Sequence, residues 1–175
     1  MIGRSNNAQL LRGVDFNGGH AEWRRARWPF SRHIPDGGDV LDVGCGNGFL
    51  LVSLLDWQPR RFVPFGFDNR SDRIAEARSL LPRYAHNFWV QDCFDDRSWR
   101  QVYDVVFAPW IADDSFIIRC LMHARSRVVF SLYDDELALG MRMIGEGRSK
   151  SLDVLAVDRV PGITELLAVR GNAKD

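Results

Sequence analysis

Long apolar runs are missing from this chain of 175 residues. A membrane-crossing helix needs about 20 consecutive apolar residues, and no such stretch exists here. The first 16 residues also lack the apolar core of a signal peptide. Cysteine is scarce and odd in number, three in all, which argues against a disulfide scaffold. Unpaired thiols and no leader lead us to expect a cytoplasmic protein without membrane contact. No Cys/His cluster has metal-ligand spacing, so no metal is expected. Net charge is missing too: Lys+Arg and Asp+Glu are each 23. That balance excludes a globally basic nucleic-acid binder, and we expect no nucleic-acid partner. Lysine is nearly absent, since Lys150 and Lys174 are the only two and the other 21 basic residues are Arg. Internal repeats and low-complexity tracts are lacking as well.

What remains is globular in composition, 46% hydrophobic and 26% charged. A chain of this size can bury a sizeable core and suits one domain, so disorder is excluded. The zero net charge hides an asymmetry. Residues 1–35 hold six Arg against Asp15 and Glu22, a local excess of four positive charges. Within this basic arm Trp23, Ala26 and Phe30 are spaced i, i+3, i+7, one face of a helix. We read residues 1–35 as a helical lid or collar on a core formed by residues 36–170.

From Asp39 onward, short apolar runs alternate with helical patterns. Strands are expected at 40–43, 65–67, 88–90, 103–108 and 128–132. Helices are expected at 49–55, from Ser71 as cap to about Leu81, at about 112–122, and at about 135–145. Pro64, lacking a donor, should stand at the first residue of its strand or just before it. Alternating strands at 152–157 and 163–169 flank Pro161-Gly162, a turn signal for an antiparallel hairpin. Near-continuous apolar strands separated by helices mean a parallel sheet with crossover helices on both faces.

The segment Val40-Leu41-Asp42-Val43-Gly44-Cys45-Gly46-Asn47-Gly48 lies between an expected strand and an expected helix. Its G-x-G-x-G spacing departs from the dinucleotide fingerprint, because Phe49 stands where the third glycine should be. The absence of a following Gly-Lys-Ser/Thr excludes a P-loop. Asp42 in front of the helix start repels phosphate and attracts a cation. Asp68 ends the second strand, where a carboxylate can accept hydrogen bonds from ribose hydroxyls. Asp92 ends the third. Three acids at adjacent strand ends suit a cationic nucleoside.

On these residues the chain resembles the class I S-adenosylmethionine-dependent methyltransferases. The glycine segment is similar to their first motif, Phe67-Asp68 to the ribose-binding acid, and Gln91-Asp92-Cys93 to the adenine-binding segment. Tyr103-Asp104-Val105-Val106-Phe107 is similar to their fourth strand, and the last hairpin to their antiparallel seventh strand beside the sixth. The resemblance implies a Rossmann-like seven-stranded sheet of order 3-2-1-4-5-7-6 and S-adenosylmethionine as cofactor. It implies cofactor contacts from Asp42, Gly44, Cys45, Gly46, Asn47, Gly48, Asp68, Asn69, Asp92, Cys93 and Ala108.

The core uses nearly all residues after 36, which leaves no substrate domain. We therefore expect a small-molecule methyl acceptor, in a pocket shaped by Trp23, Arg24, Trp28, Trp110 and Tyr133. Amino-group methyltransferases of the family carry Asn/Asp-Pro-Pro-Tyr/Phe after the fourth strand, whereas this chain has Ala108-Pro109-Trp110. No base is identified; His20 and Asp113 are the candidates. Two other readings stand beside this one. The acceptor is RNA or protein recruited by the Arg-rich arm, or the chain binds the cofactor without turnover.

Overall fold

The computed structural model describes residues 7–57, 61–108, 113–132, 152–160 and 164–171. Two short helices, α1 (Asn7–Arg12) and α2 (His20–Arg27), form the arm. In α2 the expected face is buried: Trp23, Ala26 and, in the following 3-10 turn, Phe30. Glu22 accepts the Gly19 N–H at 2.9 Å, closing the first turn of α2.

β1 (Asp39–Val43), β2 (Val63–Asp68), β3 (Phe88–Val90), β4 (Tyr103–Ala108) and β5 (Ala124–Leu132) form a parallel sheet. The α/β Rossmann-like class is therefore as expected. β1 lies between β2 and β4, so strand order reverses at β1 and β4. β7 (Thr164–Gly171) lies antiparallel to β5, and β6 (Leu152–Val160) antiparallel to β7.

Side chains alternate across the pleat. Val40, Val105, Phe107 and Val129 face one layer, covered by the arm, α3 (Phe49–Trp57) and α4 (Ser71–Leu80). Leu41, Val43, Val106, Ala108, Val128 and Phe130 face the other, covered by α5 (Asp114–Met122) through Phe116 and Ile117. The helix expected at about 135–145 lies outside the described residues. No described helix is long and apolar enough to cross a membrane.

Two local expectations are corrected. Pro64 is the second residue of β2 and does not precede it. β3 pairs with β2 only from Gly66 onward, so no strand needs the donor Pro64 lacks. The Pro64 carbonyl instead accepts from Asn87 Nδ2 at 3.0 Å. Ser71 is the first residue of α4 and not its cap; Arg70 holds that position without a side-chain cap bond. The Arg70 N–H donates to Asp68 Oδ1 at 2.9 Å, so the strand-end acid turns the chain into the helix.

Candidate active site

β1 ends in a turn that only glycine makes easily. Gly44, Gly46 and Gly48 have φ of 67°, 53° and 73°, the left-handed region. A Cβ on Gly46 would also stand 2.7 Å from the Gly13 carbonyl oxygen, in the arm. The turn is tied to the next strand: Cys45 N–H donates to Phe67 O at 3.0 Å and Gly46 N–H to Asp68 Oδ2 at 2.9 Å. Asp68 thus stands at the mouth of the loop, held by Gly46 on one oxygen and Arg70 on the other.

Two cavities open at these strand ends. One, of about 430 Å³, is lined by Asp68, Asn69, Gln91, Asp92, Cys93 and Phe94 among others. Its volume is in the range of small-molecule sites. The other, of about 150 Å³, is lined by Trp23, Arg27, Phe30, Asp42, Phe107, Ala108 and Ser131 among others. Both include Val14 and Gly44, so they are two ends of one cleft passing over the glycine loop. The cleft lies beyond the carboxyl ends of β1 and β4, the point of strand-order reversal.

Charge is arranged unevenly along it. Asp42 is buried, and its pKa is pushed up to about 7. Desolvation is the main cause; Arg27 opposes the rise and Asp68 adds to it. Arg27 lies over the rings of Trp23 at 5.2 Å and Phe30 at 5.8 Å, and reaches Ser131 Oγ at 3.4 Å. Trp23 is fixed in turn by Ser53, to which its indole N–H donates at 2.9 Å, and by stacking on Phe49 at 5.4 Å.

The structure brings together Asp42, Gly44, Cys45, Ala108 and Trp23 at the smaller cavity, and Asp68, Asn69, Asp92 and Cys93 at the larger. Burial raises the thiol pKa of Cys45, and of Cys93 to about 11, so neither is a ready nucleophile. Asn47 is wholly buried and does not face the cleft. Its amide donates to Leu10 O at 3.0 Å and its backbone N–H to Gly13 O at 3.2 Å, fastening the arm to the loop. At Gly48 a Cβ would meet Ala77 at 3.2 Å, so that glycine serves helix packing. Arg24 and Trp28 line neither cavity and lie on the outer face of the arm.

His20 is exposed at the start of α2 and lines neither cavity. Asp113 caps α5 and accepts from Phe116 N–H at 2.8 Å and Ser115 Oγ at 2.7 Å. These bonds, Ser115 first, hold its pKa low, which makes it a poor base. Trp110 and Tyr133 lie outside the described residues. Sequence reasoning missed Arg27, Phe30, Val14, Phe94 and Ser131 as lining residues. A signal existed for the first two: they stand four and seven residues after Trp23, on its own helical face.

No family profile and no curated protein matches the chain in sequence. Solved structures do match it in fold. A ribosomal protein L11 methylase from Lactobacillus delbrueckii superposes with a TM-score of 0.64 at 18% identity, over 89% of this chain and 80% of that one. A protein provisionally named an rRNA methylase, from Clostridium thermocellum, gives 0.60 at 16% identity, over 88% and 97%. TrmN from Thermus thermophilus gives 0.64 at 13% identity, over 93% of this chain and 52% of its own. These likenesses correct the expectation against a nucleic-acid partner, because an rRNA methylase is named among proteins of this fold. That expectation rested on a whole-chain sum, and zero net charge says nothing about a local basic face. Nor do they support the small-molecule acceptor. The chain has the class I methyltransferase fold.

Proposed function

We propose that the chain is an S-adenosylmethionine-dependent methyltransferase, with the cofactor lying along the cleft over Gly44. The observation that carries this is the tie between Gly46 N–H and Asp68 Oδ2, which puts a carboxylate at the mouth of a glycine turn. The donor set fits the group. Asp68 and Asp92 line the larger end, where acceptors for ribose hydroxyls and a base amine are needed. Asp42 and Arg27, of opposite sign, stand at the smaller end and suit the ammonium and carboxylate of an amino-acid tail. Phe94, 54% exposed beside Asp92, is placed to cover an adenine ring.

When bound, the cofactor supplies an electrophilic methyl on a sulfonium for in-line displacement. The chain's own part is positioning: it fixes the tail, excludes water with Trp23, Phe30 and Phe107, and leaves the acceptor an apolar approach. β7, between β5 and β6 and antiparallel to both, belongs to this reading as the inserted seventh strand of the class I sheet.

Calorimetry with S-adenosylhomocysteine tests the proposal. Binding is expected below about 1 mM, and Asp68→Ala should weaken it at least about tenfold. Methylthioadenosine, which lacks the amino-acid tail, should bind more weakly than S-adenosylhomocysteine. No heat of binding at about 1 mM in the intact protein sinks the reading.

A further inference from the structure

The exposed face of the arm, which lines neither cavity, carries a second constellation. Trp28 is a 37% exposed indole whose ring centroid is 6.2 Å from that of Trp57, tilted at 43°. The Arg24 guanidinium lies over both rings, 5.4 Å from Trp28 and 5.8 Å from Trp57. Arg24 and Arg25 are exposed, and no carboxylate pairs with either among the described residues. An ordinary solvated arginine face would not hold a large indole in water. An ordinary apolar docking face would not carry two uncompensated guanidinium groups.

We infer that this face binds single-stranded nucleic acid, with a base stacked on Trp28 and phosphates on Arg24 and Arg25. Two properties point to that occupant and not to a protein segment. Every base has a π-face that stacks on an indole, and Arg extends such a platform by stacking in the same way. The local charge is positive: residues 1–35 carry six Arg against Asp15 and Glu22. That complements a phosphate chain and nothing apolar. The position also fits. Trp23 and Arg27, which wall the cleft, are helical neighbours of Arg24 and precede Trp28 in the chain. A strand held on Trp28 therefore rests on the same arm whose Trp23 and Arg27 wall the proposed methyl-transfer site. The inference rests on the methyltransferase reading for what happens to the strand, and not for the binding itself.

The experiment is fluorescence anisotropy of a labelled ten-residue oligouridylate with the full chain, across a salt series. Wild type should bind, and its affinity should fall steeply as salt rises. Trp28→Ala should weaken binding about tenfold, and Trp28→Phe should restore most of it. Arg24→Gln and Arg25→Gln should each reduce the salt slope by about one. All four variants should keep wild-type affinity for S-adenosylhomocysteine, which separates failure here from failure of the cofactor reading. Absence of oligouridylate binding at low salt overturns the inference. So does binding that ignores both Trp28→Ala and salt. If wild type binds no oligouridylate but Trp28→Ala abolishes labelled methyl transfer to protein, the face serves a protein and the inference is wrong.

Discussion

Burial decides the chemistry of Asp42. In water its carboxyl would ionise near 3.8, but in the cleft it does so near 7. A raised acid contributes stability fully below the unfolded value, where it is protonated in both states. The contribution is lost as pH climbs through about 7, because the folded state then has to ionise a buried group. Wild type should therefore lose stability between about pH 4 and pH 7, on the order of 4 kcal/mol if the shift is expressed fully. Asp42→Asn should flatten that slope. Denaturant unfolding of both proteins at about pH 5 and pH 8 checks it, and identical slopes would remove Asp42 as the titrating group. The same ionisation prepares the site for a cation. Affinity for S-adenosylhomocysteine should rise as pH passes 7 in wild type and stay level in the variant.

At the scale of the element, an aspartate between a strand and the next helix recurs. After β2 the acid at the strand end, Asp68, takes the N–H of both Gly46 and Arg70. Before α5 the acid is Asp113, whose Oδ1 accepts from both Ser115 Oγ and the Phe116 N–H. One faces a cavity and the other a helix turn, although both are aspartates near the carboxyl end of a strand. Asp113→Ala should lower stability by about 1 kcal/mol, as loss of an N-cap does. It should leave methyl transfer unchanged. A large fall in turnover in a variant that unfolds like wild type would restore Asp113 as the base. The arm is fastened in the same way, α1 to the glycine turn by Asn47 donating to Leu10 O and α2 to α3 by Trp23 donating to Ser53.

Over the whole molecule, the arm is part of the core. Leu10, Leu11, Trp23, Phe30 and Ile34 share one buried cluster with Phe49, Leu51, Ile74 and Phe88. A collar of this kind cannot swing away without exposing aromatic surface to water. Deleting residues 1–33 should therefore give a product that aggregates or unfolds without a sharp transition, and the full chain should melt in one step. A truncated chain with an unchanged melting midpoint would show that the arm is a separable lid. The sheet's β3 edge is guarded as well: Arg78 donates to the Phe88 carbonyl from Nε at 3.0 Å and from Nη2 at 2.7 Å.

Much of this was legible in the residues. Strand and helix positions followed from apolar runs, because a strand buried on both faces admits little else. The glycine turn and Asp68 were legible because backbone conformation and strand-end chemistry restrict which residues can stand there. Asn47 looked equivalent to its glycine neighbours, and only the fold shows its amide turned inward to Leu10. Arg27 shares the helical face of Trp23 and Arg24 does not, but the linear pattern does not say that this face meets the cleft. That depends on the roll of α2 against α3, set by Trp23 packing on Phe49. The amino-acid sequence alone dictated a globular α/β chain with a basic front and a glycine turn, since those are matters of sequence-local sterics and charge. Which acids share a cavity, which arginine shares one with Asp42 and which tryptophan meets water were decided by tertiary packing, because each depends on contacts between residues far apart in the chain.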